Sequence, residues 1–142
     1  MKKTALPILT RAESEVMAAL WKHERLTVHA LVEALDRPVA YTTALTILRI
    51  LQQKGYVRHE PDPEGGRAYV YLPAVAANKA RRSHVRDLVD RLFDGRPEEL
   101  VTGLLEDERL SRAQLELLRG QIERSLSPEG YADKKPRKEP KR

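Results

Sequence analysis

The chain has 142 residues, 41% of them hydrophobic, with one Trp, one Phe and no Cys. Lack of thiols excludes a disulfide framework, thiolate metal sites and thiol catalysis, and no stretch approaches the roughly 20 apolar residues of a membrane span or the apolar run of a signal peptide, so a soluble cytoplasmic protein is expected. The net charge of +5 is unevenly spread: residues 1–73 carry 10 basic and 8 acidic side chains, residues 74–126 carry 10 of each, and residues 127–142 carry 6 and 3.

Thr10 followed by Glu13 is a capping box, with Leu9 before the cap and an apolar stripe of Val16, Met17, Leu20 and Trp21 behind it. Thr27, preceded by Leu26, opens a second helix with the stripe Val28, Leu31, Val32 and Leu35. Pro38 ends it by disfavouring helix in the residue before. "VAYTTALTILRILQQKGYV" then predicts a third helix over roughly 40–54, with Gly55 as a left-handed C-terminal residue. After Gly55 the period shortens. "YVRHE" (56–60) and "RAYVYL" (67–72) read as strands joined by the turn "PDPEGG". Three helices followed by a two-stranded ribbon is the order of a winged helix-turn-helix, whose third helix enters the DNA major groove.

The third helix has two unlike faces. Ala44, Ile47, Leu48 and Leu51 form an ordinary core face. Thr42, Thr46, Arg49 and Gln53 share the other, flanked by Thr43. Threonine costs a helix rotamer freedom, and a merely solvated face is better served by Glu or Lys. Short hydroxyls, an amide and a guanidinium are what base edges and phosphates accept, and Thr42 and Thr43 lie in the first turn, where free N–H groups attract phosphate. The competing reading is a solvated face whose threonines bond back to helix carbonyls. The ribbon, with Arg67 at its edge, favours DNA.

Residues 74–126 predict three more amphipathic helices. The first carries Val85, Leu88, Val89, Leu92 and Phe93 and is broken by Gly95 and Pro97. Leu100, Val101, Leu104 and Leu105 mark the second. Ser111 with Gln114 caps the third, which carries Leu115, Leu118, Ile122 and Leu126. Helices this short bury little alone: they can pack on residues 1–73 or on a second copy, and the second copy is the favoured outlet, through Val85, Leu88, Val89, Leu92, Leu118 and Ile122. The expected division is a winged-helix domain at 1–73, a helical dimerisation region at 74–126 and a disordered basic tail at 127–142.

In order and spacing, "LTRAESEVMAALW" (9–21), "TVHALVEAL" (27–35), "AYTTALTILRILQQKGYV" (40–57) and "GRAYVYLP" (66–73) resemble the BlaI/MecI family of penicillinase-type repressors. "RLFDGRPEELVTGLLEDERLS" (91–111) resembles its C-terminal portion more loosely. The resemblance implies a mostly α fold with a small β-ribbon, an N-terminal winged helix, a C-terminal dimerisation region, and repression by homodimers on palindromic operators. It implies DNA contact by Thr42, Thr43 and Thr46, and membership of the wing for Arg67 and Tyr69. Where the family often has Arg, this chain has Ile50, which leaves Arg49 to take over a contact. The Cys-rich motif of copper-responsive relatives is absent. The Asn–Phe bond cut in antibiotic-responsive relatives aligns with Gly103–Leu104, leaving open a regulatory protease as partner.

Other classes fit less well. His23, His29, His59 and His84 are scattered without ligand spacing, so no metal or other cofactor is expected. No phosphate loop and no nucleophile with a base is present, so an enzyme is not expected. A winged helix that binds protein would favour an acidic third helix, whereas residues 40–54 hold Arg49 and Lys54 and no acid. A ligand sensor with a pocket at the dimer seam would leave no local signature.

Overall fold

A computed structural model describes residues 6–129. The chain forms α1 (Arg11–His23), α2 (Val28–Ala34), α3 (Tyr41–Gln53), β1 (Val57–Pro61), β2 (Tyr69–Pro73), α4 (Ala77–Leu92), α5 (Pro97–Glu106) and α6 (Arg112–Leu126). The fold is mostly helical with one two-stranded antiparallel ribbon, a winged helix-turn-helix followed by further helices. It divides into two compact units, one ending at Gly95 and one beginning at Arg96.

In the first unit, local sequence dictates the helix starts. Thr10 and Glu13 close the capping box of α1, and the Thr27 hydroxyl accepts from the Ala30 N–H at 3.1 Å to start α2. Gly55, at φ +89°, turns the chain out of α3, and Tyr56 drops into the core instead of opening the strand. Val16, Met17 and Leu20 of α1, Leu31 of α2, and Ala44, Leu48 and Leu51 of α3 pack there with it. Burying such side chains contributes about 1.5–3 kcal/mol each, so α3 is rigidly seated by its inner face. Ile47 packs against this core and remains partly exposed.

The ribbon pairs Val57 with Pro73, His59 with Tyr71 and Pro61 with Tyr69. A third extended residue joins it: Leu26, between α1 and α2, exchanges hydrogen bonds with Tyr71 at 3.1 and 2.8 Å. This bridge attaches the ribbon to the helical core. The Trp21 indole N–H donates to Val75 O at 2.8 Å and fixes the exit from β2.

α4 is tied to the chain start. The Leu6 N–H donates to Ser83 Oγ at 3.2 Å, and the Leu9 N–H donates to His84 Nε2 at 3.0 Å. Nδ1 of His84 lies 2.9 Å from Ala80 O, so the neutral tautomer with its proton on Nδ1 satisfies both contacts. Ala80 joins the core, so the first turns of α4 belong with the winged helix in packing. Val89, expected on a dimer stripe, is 6% exposed and already covered by the chain itself.

In the second unit, Pro97 with Glu98 and Glu99 opens α5, and Ser111 with Gln114 closes a second capping box on α6. No residue of α5 or α6 is buried. The tail from residue 130, expected to be disordered, lies outside the described residues.

Candidate nucleic-acid interface

The buried face of α3 fixes which side chains point outward. Thr42, Thr43, Thr46, Arg49 and Gln53 are all exposed. Ile50, on the same helix, is an apolar side chain 37% exposed. The Thr46 hydroxyl donates to Thr42 O at 2.9 Å, the back-bond weighed against DNA contact in the sequence. That bond occupies its proton but leaves the oxygen of this exposed residue able to accept. α3 has Ala40 as its N-cap and no side-chain acceptor there, unlike α1, α2 and α6. Its first N–H groups are therefore not claimed by a side-chain cap.

Lys54 does not belong to this outward face. Its Nζ donates to Glu13 Oε1 at 2.6 Å and to Ile8 O at 3.0 Å. By sequence, Lys54 counts with Arg49 as positive charge for DNA. Its position one residue past α3, beside the start of α1, directs it to a buried carboxylate instead.

The wing tip is held by its own turn. Asp62 Oδ1 accepts from the Glu64 N–H at 3.0 Å and Asp62 O accepts from the Gly65 N–H at 3.0 Å. Gly65 and Gly66 have φ of +92° and +89°, a conformation that residues with a Cβ rarely adopt. Arg67 and Tyr69 follow on the side facing α3.

An open groove runs between α3, the start of α2 and the wing. Arg49, Gln53, Arg67 and Tyr69 line it, as do Gln52, His59, His29 and Tyr41. Among the described residues no carboxylate lines it, whereas two guanidinium groups and two imidazoles do. Such a concave, acid-free surface favours an anion. Tyr71 forms part of its floor. Burial pushes the Tyr71 hydroxyl above its ordinary range, against the opposing pull of Arg49.

The groove unites Arg49 and Gln53 of α3 with Arg67 of the wing loop and Tyr69 of β2. Thr42, Thr43 and Thr46 lie on the same helix but do not line the groove. Gln52 and His59 escaped the sequence reading. His59 Nδ1 lies 3.0 Å from Gln52 Oε1, and its ring stands 4.9 Å from Tyr69 and 5.6 Å from Tyr71. Strand alternation carried the signal: Val57 and His59 share a face of β1, and Val57 is core. His29 packs against Tyr41 at 4.7 Å.

Of the residues expected to pair two copies, Val85, Leu88, Leu92 and Ile122 are 49, 36, 71 and 55% exposed, and Leu118 is half-buried. Among the described residues no group of three His, Asp or Glu is placed to hold a metal ion, and no helix is long and apolar enough to cross a membrane.

The family model of the penicillinase repressor matches residues 9–124. A penicillinase repressor from Bacillus licheniformis is 28% identical over 117 residues, covering 81% of this chain and 88% of that one. The crystal structure of a mutant MarR from E. coli is similar in fold, with a TM-score of 0.51 at 20% identity over 84% of this chain and 79% of that one. The solution structure of monomeric BlaI from Bacillus licheniformis, in complex with the blaP half-operator, is 31% identical over 56% of this chain and 93% of that one, with a TM-score of 0.44. The match over residues 9–124 places the chain in the penicillinase repressor family, whose members are DNA-binding transcriptional repressors and not enzymes.

Proposed function

We propose that this repressor acts in the cytoplasm as a homodimer on a palindromic operator, with α3 reading the major groove and the wing holding the backbone. The observation that carries the reading is the acid-free groove in which Arg49 and Gln53 of α3 meet Arg67 and Tyr69 of the wing. Arg49 and Gln53 suit guanine and adenine edges, and Thr42, Thr43 and Thr46, all exposed, carry methyl groups that suit thymine. Arg67, on a loop without the fixed geometry of a helix, serves phosphate.

Pairing of two copies rests on a different feature. Leu92, Val101, Leu105, Leu117, Ile122 and Leu126 are 46 to 74% exposed in the single chain. A second copy that covers them would remove this apolar surface from water and set two recognition helices at a fixed spacing, which a palindrome matches. In this division residues 1–73 bind DNA, residues 74–126 form the dimer arm and residues 127–142 add sequence-independent attraction. Induction through a regulatory protease would act on the arm near Gly103–Leu104, within α5, which has no buried residue.

Selection of duplexes from a random pool, followed by footprinting, tests the reading. Recovery of an inverted repeat protected by two protomers supports it. A pool without enrichment, or protection of a single unrepeated site by a monomer, overturns it.

A further inference from the structure

The groove contains two imidazoles that the DNA reading leaves unused: His29 of α2, packed on the Tyr41 ring at 4.7 Å, and His59, which alone bridges the wing to α3. His59 stands on β1, exposed, with its Nδ1 donating to Gln52 Oε1 of α3 at 3.0 Å. The rings of Tyr69 and Tyr71 on β2 pack against it at 4.9 and 5.6 Å. Arg49 of α3 and Arg67 of the wing loop line the same groove. On its own strand, Arg58 and Glu60 pair with each other at 2.7 Å, and neither lines the groove. No carboxylate therefore lines the groove beside the imidazole to stabilise its cation in the free protein.

Gln52 decides which proton His59 can offer. An amide oxygen only accepts, so Nδ1 must carry a hydrogen. In the neutral ring Nε2 is then a bare acceptor and can make no contact with a phosphate. Only the imidazolium presents an N–H from Nε2 to the groove. Histidine is the side chain that makes this change near neutral pH.

We propose that His59 is a DNA-phosphate contact linking the wing to α3, that Gln52 positions it, and that DNA binding takes up a proton at its Nε2. This inference rests on the DNA reading above and adds its regulation by pH. A phosphate in the groove supplies the anion that the free protein lacks, so the complex holds the proton more tightly than the free repressor does. By linkage, affinity rises as pH falls through the imidazole range. No bond other than N–H is made, and the proton comes from solvent.

The test uses the full chain and the duplex recovered by the selection described above. Fluorescence anisotropy at constant salt should show binding about three- to tenfold tighter at about pH 6 than at about pH 8, the effect of one coupled imidazole. H59Q, which keeps a polar side chain but cannot become a cation, should lose that gain. Q52A should behave differently: its imidazole is free to carry the neutral proton on Nε2, so it should bind tighter than wild type at about pH 8 and gain less on acidification. A merely structural Gln52 would weaken binding at both pH values. Calorimetry in buffers of different ionisation enthalpy should show proton uptake near neutral pH in wild type and less in H59Q. Wild-type affinity independent of pH, or a full gain retained in H59Q, overturns the inference and leaves the DNA reading intact. Failure of wild type to bind any duplex overturns both.

Discussion

Glu13, at the start of α1, is joined to Lys54, at the end of α3, by a 2.6 Å ion pair in which the Glu13 side chain is 7% exposed. The same Glu13 oxygen accepts from the Thr10 N–H at 2.9 Å, so one side chain both caps α1 and anchors the end of the recognition helix. Lys54 also holds Ile8 O, and Tyr56 donates to Pro7 O, so the segment before α1 is tied down at the same point.

Removing one partner should therefore cost more than a surface pair would. K54M leaves the carboxylate buried without its cation and should destabilise the first unit by about 1–3 kcal/mol in urea unfolding. The double variant E13Q/K54M should recover part of that loss, because it strands no charge.

Acid unfolding gives a second reading of the same pair. Burial alone would raise Glu13, but hydrogen bonds from Lys54 and Thr10 and the charge of Lys54 outweigh it and hold the carboxyl below its ordinary value of 4.5. Its folded value is depressed, so its contribution is present above the unfolded value and lost as pH falls through the folded one. The stability difference between wild type and E13Q should therefore shrink as pH is lowered below about 4.5. A difference that stays constant into strong acid would show that the pair does not couple to folding.

The DNA face should separate into two classes of variant. R49A should lose discrimination between selected and mismatched duplexes by about 1–3 kcal/mol, and T46A should lose preference at a thymine position without unfolding α3, since Ala favours helix over Thr. R67A should instead weaken all duplexes alike and reduce the slope of log affinity against log salt by about 1. Competition binding at several salt concentrations distinguishes the two patterns. If R67A altered sequence preference and R49A did not, the roles of helix and wing would be reversed.

The first three helices were readable because their boundaries are written locally. Thr10 with Glu13, Thr27 and Gly55 act within a few residues of themselves, and the apolar stripes behind them are long enough to show a period. What could not be read depends on meetings across the chain. The Leu26–Tyr71 bridge is a single pair between distant residues and leaves no alternation to detect. Lys54 looked like DNA-facing charge because its partner Glu13 lies 41 residues away. Val89 looked equivalent to Leu88 and Leu92 on a helical wheel, yet the chain itself buries only Val89. The groove was half legible: α3 supplied Arg49 and Gln53 by period, whereas Gln52 and His59 become neighbours only when the ribbon folds back.

That contrast on α4 yields a prediction. Leu92 is 71% exposed, so L92E should leave the single chain folded while producing monomers in sedimentation and weaker binding to an inverted repeat. V89A removes a buried side chain and should lower stability, by at most the roughly 1.5–3 kcal/mol that a buried Val contributes. A dimer that survives L92E and L88E together would exclude this face from the seam.

The arm near α5 should be the first described segment to open. Gly103 sits inside α5, where glycine costs roughly 0.5–1 kcal/mol relative to Ala. Within the single chain no residue of α5 is fully buried to offset the cost, and Asp94, Gly95 and Glu108 flank it at positive φ. The wing tip is also exposed, but Asp62 closes its turn with two hydrogen bonds. Limited proteolysis should therefore cut first between about residues 94 and 105 and later in the wing, since cleavage follows local opening. G103A provides the direct check. A Cβ at position 103 meets nothing within 4 Å, so the substitution introduces no clash and should stabilise α5 by about the same 0.5–1 kcal/mol. That corresponds to cleavage in this segment slowed roughly two- to fivefold, with wing cleavage unchanged. The released N-terminal piece should keep its sequence preference and bind an inverted repeat weakly, because losing the arm removes the second contact without touching the first. Equal cutting of G103A and wild type at 94–105, or first cutting within residues 61–66, would place the weak point of the repressor outside the arm.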